Sequence, residues 1–403
     1  MDLTGALLRA TAARPHVLLV TTPGGTAVRL AAERHLRRLD VPTAGTPADA
    51  DVLLVAGPDC PSLEPAFDRL WQDMPEPRCR DRVRGADAVP DVVDDCRTVL
   101  ASATGRRGTA AHVPAERPSA ELPMAEVGPD RDGLTLDRLH VPLGPLLSDW
   151  PTGLTIRLTM QGDVVEQARV EGLPAQAATP SPPFWAEPWL RAEAGEQVTV
   201  GAAARRRAAA HLDSLARLLS VAGWQAAATT ARRLRDELLT GADAAAVRAR
   251  VERFARRVGR SRVLYWLTRG IGELTEAEAR RVGARTGNAR HEVDECAGTG
   301  AVETGFGPAE GRARGDVPAR YRAWLASTVH ATSLLEDASP LGADGEGPRG
   351  CVRDGLRPSA ALVAVLPQLL RGAELAAARL IVASLDPDPD ELVTAAPGAR
   401  AHG

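Results

Sequence analysis

The sequence predicts a mixed fold, α/β followed by α+β: a small parallel α/β N-terminal domain, a linker, a β-hairpin sheet and then a mainly α-helical bundle. Three patterns predict it. Two continuous apolar runs, His16-Val-Leu-Leu-Val20 and Asp51-Val-Leu-Leu-Val55, each lead through a Gly/Pro turn into a helical stretch, as buried parallel strands do. Residues 133–173 then alternate apolar and polar with the period of a half-buried strand, and from about Val198 apolar residues recur at helical spacing.

In chain order, the first strand is followed by TTPGGTA and a helix from Ala27 to Leu39. The second is followed by AGP and a helix near Leu63–Met74. A third helix, Val89–Leu100, completes a domain over residues 1–103. The Pro23-Gly24-Gly25-Thr26 turn is a plain βα turn or a phosphate cradle at a helix N-terminus, although it is neither a G-x-G-x-x-G nor a lysine-bearing phosphate loop. Residues 104–130 are small, Pro-rich and charged without periodicity, which predicts a linker. The region 131–173 predicts a hairpin, with Leu154, Ile156, Leu158 and Met160 on one face and the tip at Gln161-Gly162-Asp163. The bundle over 198–390 comprises a helix closed by Gly223, helices at Trp224–Leu239 and Ala244–Val258, one at Pro318–Leu335, and two within Leu356–Asp386 separated near Pro367 and Gly372.

At 403 residues the chain is long enough for two or three domains. Aromatics make up only 3%, so the core must come from closely packed Ala, Leu and Val. The net charge of −3 argues against a nucleic-acid footprint, which needs a basic excess; the Arg205-Arg206-Arg207 triplet predicts the polar side of a helix. All 49 basic residues are arginine, consistent with genomic base composition. The start of the chain has no signal-peptide pattern and no window approaches the ~20 apolar residues of a membrane span, which predicts a cytoplasmic protein that meets a membrane through partners. The five cysteines, at 60, 79, 96, 296 and 351, contain no C-x-x-C pair. Cys60, Cys79 and Cys96 share one predicted domain and are either isolated structural thiols or a convergent metal set.

The stretch Thr268–Arg290, TRGIGELTEAEARRVGARTGNAR, combines two tight glycine turns with a short helix. Gly270 and Gly272 permit positive φ or close backbone approach. Thr275 and Glu278 form a capping box, Gly283 a C-terminal stop, and Arg269 and Arg290 bracket the whole. By pattern alone it is a solvated helical hairpin. It also resembles the central motif of the quinone-site subunit of respiratory complex I, a relative of the large subunit of nickel–iron hydrogenases, which reads R-G-I-G, a short helix, then G-x-T-G-x-x-x-R. Other segments resemble the same family in the same order. GPLLSDWPTGLTIRLTMQGDVV is similar to its N-terminal hairpin, RRAAAHLDSLARLLSVAG to its E-L-x-R-x-x-S-H-L helix, and GDVPARYRAWLASTVHATSLL to its G-D-x-x-x-R-Y helix. GEGPRG is similar to its E-x-P-K/R-G-E turn, and RPSAALVAVLPQLLRGAELAAARLIVASLD to its terminal helices. The resemblance spans residues 134–390. Upstream, ADVLLVAGPDCPSLEPAFDRLWQDMPEPR resembles the complex I subunit that carries the terminal iron–sulfur cluster.

The resemblance implies a fusion of two subunits that face each other across a quinone headgroup. It implies a subunit of an NADH:quinone oxidoreductase-like or hydrogenase-like complex, peripheral at the cytoplasmic face of a membrane and working with other subunits rather than as a stand-alone enzyme. Arg269, Gly270, Gly272 and Arg290 are then candidate cofactor-binding residues of an inter-domain pocket, with Arg290 facing a cluster or an acidic headgroup and Arg269 fixing the glycine loop; a buried hydrogen-bond clamp is the other role open to the two arginines. Quinone is the cofactor implied. Departures from the family remove its own chemistry. Thr21-Thr22-Pro23 stands in the place of the adjacent cysteine pair, and no G-x-C follows Arg78-Cys79. Ser148-Asp149-Trp150-Pro151-Thr152-Gly153 replaces the histidine-bearing hairpin, and Pro174–Trp185 contains no Tyr. No cluster, nickel site or catalytic residue is therefore expected. The alternative is a non-catalytic descendant serving as a scaffold, assembly or small-ligand-binding protein.

Overall fold

The computed structural model describes residues 14–106, 126–129, 135–171, 182–275, 315–342, 345–350, 352 and 358–393. The chain divides into two units, residues 1–139 and 140–403.

The first unit is built on a three-stranded parallel sheet in the order β1-β2-β3, with β1 at Val17–Thr21, β2 at Val52–Ala56 and β3 at Cys79–Val83. The two continuous apolar runs become β1 and β2, and every residue of β2 is buried. Helices α1 (Thr26–Arg38), α2 (Glu64–Asp73) and α3 (Val89–Arg106) connect and cover the strands. The third strand has no sequence signature. Its residues read Cys-Arg-Asp-Arg-Val and only the two ends are buried. Arg80 and Arg82 instead reach Glu64 on α2, while Asp68 and Asp59 take further ion pairs from Arg80, Arg82 and Arg84. Charge pairing to a neighbouring helix replaces an apolar face at this sheet edge.

The turn after β1 meets the end of β2. Gly25 is so close to that backbone that a Cβ there would lie 2.5 Å from the Ala56 carbonyl oxygen and 2.9 Å from the Gly57 Cα. Thr22 ties the two turns together, its Oγ1 donating to the Pro58 carbonyl at 2.8 Å. Gly25 therefore serves turn-on-turn packing.

Residues 104–106 finish α3 and 126–129 form a strand, β4 (Glu126–Pro129). It pairs antiparallel with β5 (Thr135–Leu143) in a sheet of order β4-β5-β6-β7. Strands β6 (Thr155–Gln161) and β7 (Val164–Glu171) form the hairpin, with Gly162 at φ 59° in its tip. Leu154, Ile156, Leu158 and Met160 all face one core, shared with the two long apolar helices near the C-terminus.

The remaining helices are α4 (Glu187–Glu193), α5 (Val200–Val221), α6 (Gln225–Leu239), α7 (Ala244–Gly259), α8 (Arg262–Thr268), α9 (Val317–Ser333), α10 (Pro358–Leu370), α11 (Leu375–Leu385) and α12 (Pro389–Val393). Helix α5 is the axis, packing on α6, α9 and α11. Side chains of Thr199, Asp243, Ser261 and Asp316 accept from the first-turn amides of α5, α7, α8 and α9, satisfying donors that a helix start leaves open. Helix α7 ends at Gly259, and Ser261 caps the next helix, α8, within the same basic run. Pro367 lies within α10, and the break comes at Gly372, φ 80°. Arginines 205–207 are not a solvated face. Arg205 donates to the Leu238 carbonyl, Arg206 to that of Phe184 and to Glu187, and Arg207 to that of Glu346. Among the described residues no helix is long and apolar enough to cross a membrane.

In the full chain, Gly25→Ala is expected to destabilise by about 1–3 kcal/mol, because the added methyl meets fixed backbone. Gly45→Ala, where nothing lies within 4 Å of the new carbon, should change thermal unfolding little. Equal melting points for the two variants would contradict the packing role.

Candidate functional site

The second unit buries an unusual number of charges, and they converge. At the end of α11 the chain turns left-handed at Asp386, φ 44°, and enters Asp386-Pro-Asp-Pro-Asp-Glu391. Asp386, Asp388, Asp390 and Glu391 are all buried, so their pairing decides the local structure. Asp386 is held from three directions. Arg349 donates from Nη2 to its carboxylate at 2.7 Å and from Nε to its carbonyl at 2.8 Å. Arg217 on α5 lies 3.1 Å away, and the Ser214 hydroxyl donates at 2.6 Å. Arg217 also binds Asp213, which in turn pairs with the wholly buried Arg235 of α6. On the far side, Arg349 Nη1 lies 3.6 Å from Asp388. Ser359 links the acidic turn to α10, donating to Glu391 at 2.6 Å and accepting from the Asp388 amide at 2.9 Å.

Burial pulls the Arg349 pKa down, but the field of Asp386, Asp388 and Glu391 outweighs this and holds it above the ordinary arginine value. Burial pushes Asp388 well above the usual carboxylate range; Arg349 opposes that shift, and neighbouring Asp390 and Glu391 add to it.

A second cluster joins the glycine loop to the same helix end. Arg320 on α9 donates to Ser384 Oγ at 2.9 Å, to the Gly315 carbonyl at 2.8 Å and to the Gly272 carbonyl. Asp316 accepts from the Gly270 amide at 2.9 Å. Gly270 and Gly272 adopt φ 73° and 59°, and a Cβ on Gly272 would lie 2.7 Å from Ile381. Burial lowers the Arg320 pKa to about 10, with Asp316 acting against the fall.

Of the residues singled out in the sequence, Gly270 and Gly272 sit in this clamp and Arg269 is exposed beside it. Arg290, with the Thr275–Glu278 capping box and Gly283, lies outside the described residues apart from Thr275. The groups that hold the loop are Arg320 and Asp316. Sequence reasoning passed over Arg320, Arg349, Asp386 and Ser214, although each lies inside a segment that carried the resemblance.

A cavity of about 20 Å³, lined by residues including His211, Ser214, Trp324, Arg349 and Asp386, adjoins the ion pairs. That is room for about one water, not for a quinone ring. A shallower groove of about 340 Å³ runs past Arg248, Glu252, Thr332 and Glu336; Arg248 and Glu252 pair with each other across one helical turn.

In the first unit, the Cys79 and Cys96 thiols hydrogen-bond to each other. The bond pulls Cys79 down and, with burial, pushes Cys96 up. Cys60 follows the opposite end of the strands, roughly 13 Å of strand away along the sheet, and contacts Ser62. The three sulfurs do not converge. Among the described residues no three His, Cys, Asp or Glu side chains are placed to hold a metal, and the described thiols of this unit do not gather into one site.

No family model matches the sequence, and no curated protein matches it. Among solved structures the chain is similar to one from the membrane-bound sulfane sulfur reductase, an archaeal respiratory membrane complex. The identity is 15%, the TM-score 0.41, and the match covers 64% of this chain and 98% of that one.

Two substitutions test the network. Arg320→Met removes the donor to two carbonyls and a hydroxyl, and should cost about 3–5 kcal/mol, lowering the melting point by roughly 10 °C; an unchanged melting point would contradict the clamp. For Asp388, the native state retains its proton to a higher pH than the unfolded chain does. Its stability contribution is thus present below the unfolded carboxylate value and is lost as pH rises through the folded one. Asp388→Asn should therefore melt about 2–4 °C higher than the wild type near neutral pH, with the gap closing toward pH ~4. A lower melting point for the variant at neutral pH would show that the carboxylate is stabilising as an ion.

Proposed function

We propose that the chain is a subunit-like protein of the NADH:quinone oxidoreductase and hydrogenase family, acting within a multi-subunit respiratory-type complex and carrying no iron–sulfur cluster or nickel site of its own. One observation carries the reading. The five sequence segments that resemble the quinone-site subunit between α5 and α11 supply the members of two hydrogen-bonded clusters that meet at the C-terminal end of α11. Asp213, Ser214 and Arg217 come from the α5 segment, and Gly270 and Gly272 from the glycine loop. Asp316 and Arg320 come from the G-D-x-x-x-R-Y helix, Arg349 from GEGPRG, and Ser384 and Asp386 from the terminal S-L-D. The contacts join segments up to 172 residues apart in the chain, and their convergence supports reading the segments together.

In this reading the protein sits at the cytoplasmic face of a membrane with its partner subunits, and quinone chemistry, if the complex performs it, uses groups supplied by those partners. By the resemblance, Arg290 would face a cluster or an acidic headgroup and Arg269 would fix the glycine loop. A second reading, a non-catalytic scaffold or assembly protein, draws on a specific feature: the buried charges neutralise one another and leave space for a single water, so the network is organised to hold helices together.

Native affinity isolation of the tagged chain, under anaerobic conditions, separates these. The proposal expects co-isolation of flavin- or iron–sulfur-bearing subunits in fixed ratio, while the purified chain alone contains no iron by elemental analysis and EPR. Isolation without any oxidoreductase partner would support the scaffold reading, and a stoichiometric 4Fe–4S signal from the chain itself would overturn both.

A further inference from the structure

The residues Arg253–Arg269 combine exposed arginines with exposed apolar side chains. Six exposed arginines, at 253, 256, 257, 260, 262 and 269, lie in this stretch with no acidic residue among them, while the whole chain carries −3; Arg256 lies 4.0 Å from Glu252 at the edge of the stretch and Arg257 stacks on Trp224. Within the same stretch, α8 presents Val263, Trp266 and Leu267 with 69%, 66% and 52% of their surface exposed, the three most exposed of the large hydrophobic residues described. Their spacing of i, i+3, i+4 places them on one face. The opposite face anchors the helix. Leu264 and Thr268 are buried, with the Thr268 hydroxyl donating to the Leu264 carbonyl, and Arg322 stacks on Tyr265 at 4.7 Å. The apolar face is thus fixed in position by its own supports and turned outward.

We propose that α8 and the arginines around it are a docking surface for an anionic lipid bilayer. An interfacial element combines an aromatic and aliphatic face that enters the acyl boundary with arginines that stay at the headgroups. Charge selects among the occupants. A second copy of this chain would bring six like charges against six. A single-stranded nucleic acid would use the aromatic ring but gains nothing from burying Val263 and Leu267. A lipid phosphate surface complements the arginines, and its hydrocarbon accepts the aliphatic side chains. The surface is read from its own residues and does not rest on the oxidoreductase reading: the chain docks directly, with or without a partner.

The test is co-sedimentation of the full chain with vesicles of phosphatidylcholine containing about 30% phosphatidylglycerol, against vesicles of phosphatidylcholine alone. Binding is expected on the anionic vesicles only. It should weaken at least tenfold between ~0.1 M and ~1 M salt, as the screening length falls from about 10 Å to about 3 Å. Replacing both Arg260 and Arg262 by Gln should weaken it roughly 30-fold, at about fivefold per arginine. Trp266→Ser with Leu267→Ser should weaken it at least tenfold, with the melting point unchanged because both residues are exposed. No binding, equal binding to neutral vesicles, or binding that survives both double variants would overturn the proposal. So would a concentration-dependent dimer in sedimentation velocity that the Trp266 and Leu267 changes abolish, since the face would then be an interface between copies. Binding of an oligonucleotide in preference to the vesicles would overturn it as well.

Discussion

The second unit depends on one carboxylate. Asp386 stands in a left-handed turn at the end of a nearly all-apolar helix and neutralises arginines that arrive from α5 and from the GEGPRG turn. An uncompensated guanidinium in such a position would cost several kcal/mol, so the helices are placed by the need to bring the charges together as much as by their apolar faces. Hydrophobic burial brings α5, α9, α10 and α11 into a bundle. The shared carboxylate sets where along their lengths they meet.

The arginine-only composition takes on structural meaning here. Whatever its genomic origin, each buried basic group uses the planar fork that lysine lacks. Arg349 takes both the carbonyl and the carboxylate of one residue, and Arg320 ties two loop carbonyls to a hydroxyl on another helix. Arginines 205–207 likewise reach across to carbonyls of α6, the chain before α4, and the turn at Glu346. With only 3% aromatic residues, the bundle has few large rings, the buried Trp185, Trp189, Phe254 and Tyr321 among them, and guanidinium clamps add to its specificity.

How far the fold could be read from the sequence followed the physics of each element. Strands β1 and β2 and the β6–β7 hairpin are legible because burial on two faces, or on one, leaves a continuous or alternating apolar record. Strand β3 is illegible because its outward residues are charged and paired to α2. The restart at Ser261 is masked by a basic run that continues across it. At the candidate site, Gly270 and Gly272 could be found, since positive φ favours glycine. Their partners could not. Arg320 and Asp316 are ordinary residues at the start of a helix, and nothing in composition separates Asp386–Glu391 from a solvated acidic turn. Only long-range pairing distinguishes the two.

The hydrogen bond between Ser214 and Asp386 closes a loop of 172 residues. At about 5–20 residues per second, a ribosome takes roughly 10–30 s to add Asp386 after it has added Ser214. For all that time Arg217 has no Asp386 to meet, and α5 carries the charges of a core without the anion that completes it. Until then, Asp213 is the carboxylate within α5's own reach for Arg217, as it is for Arg235 of α6. The timetable of synthesis, as well as the final geometry, is written into the separation of one acid from its two bases.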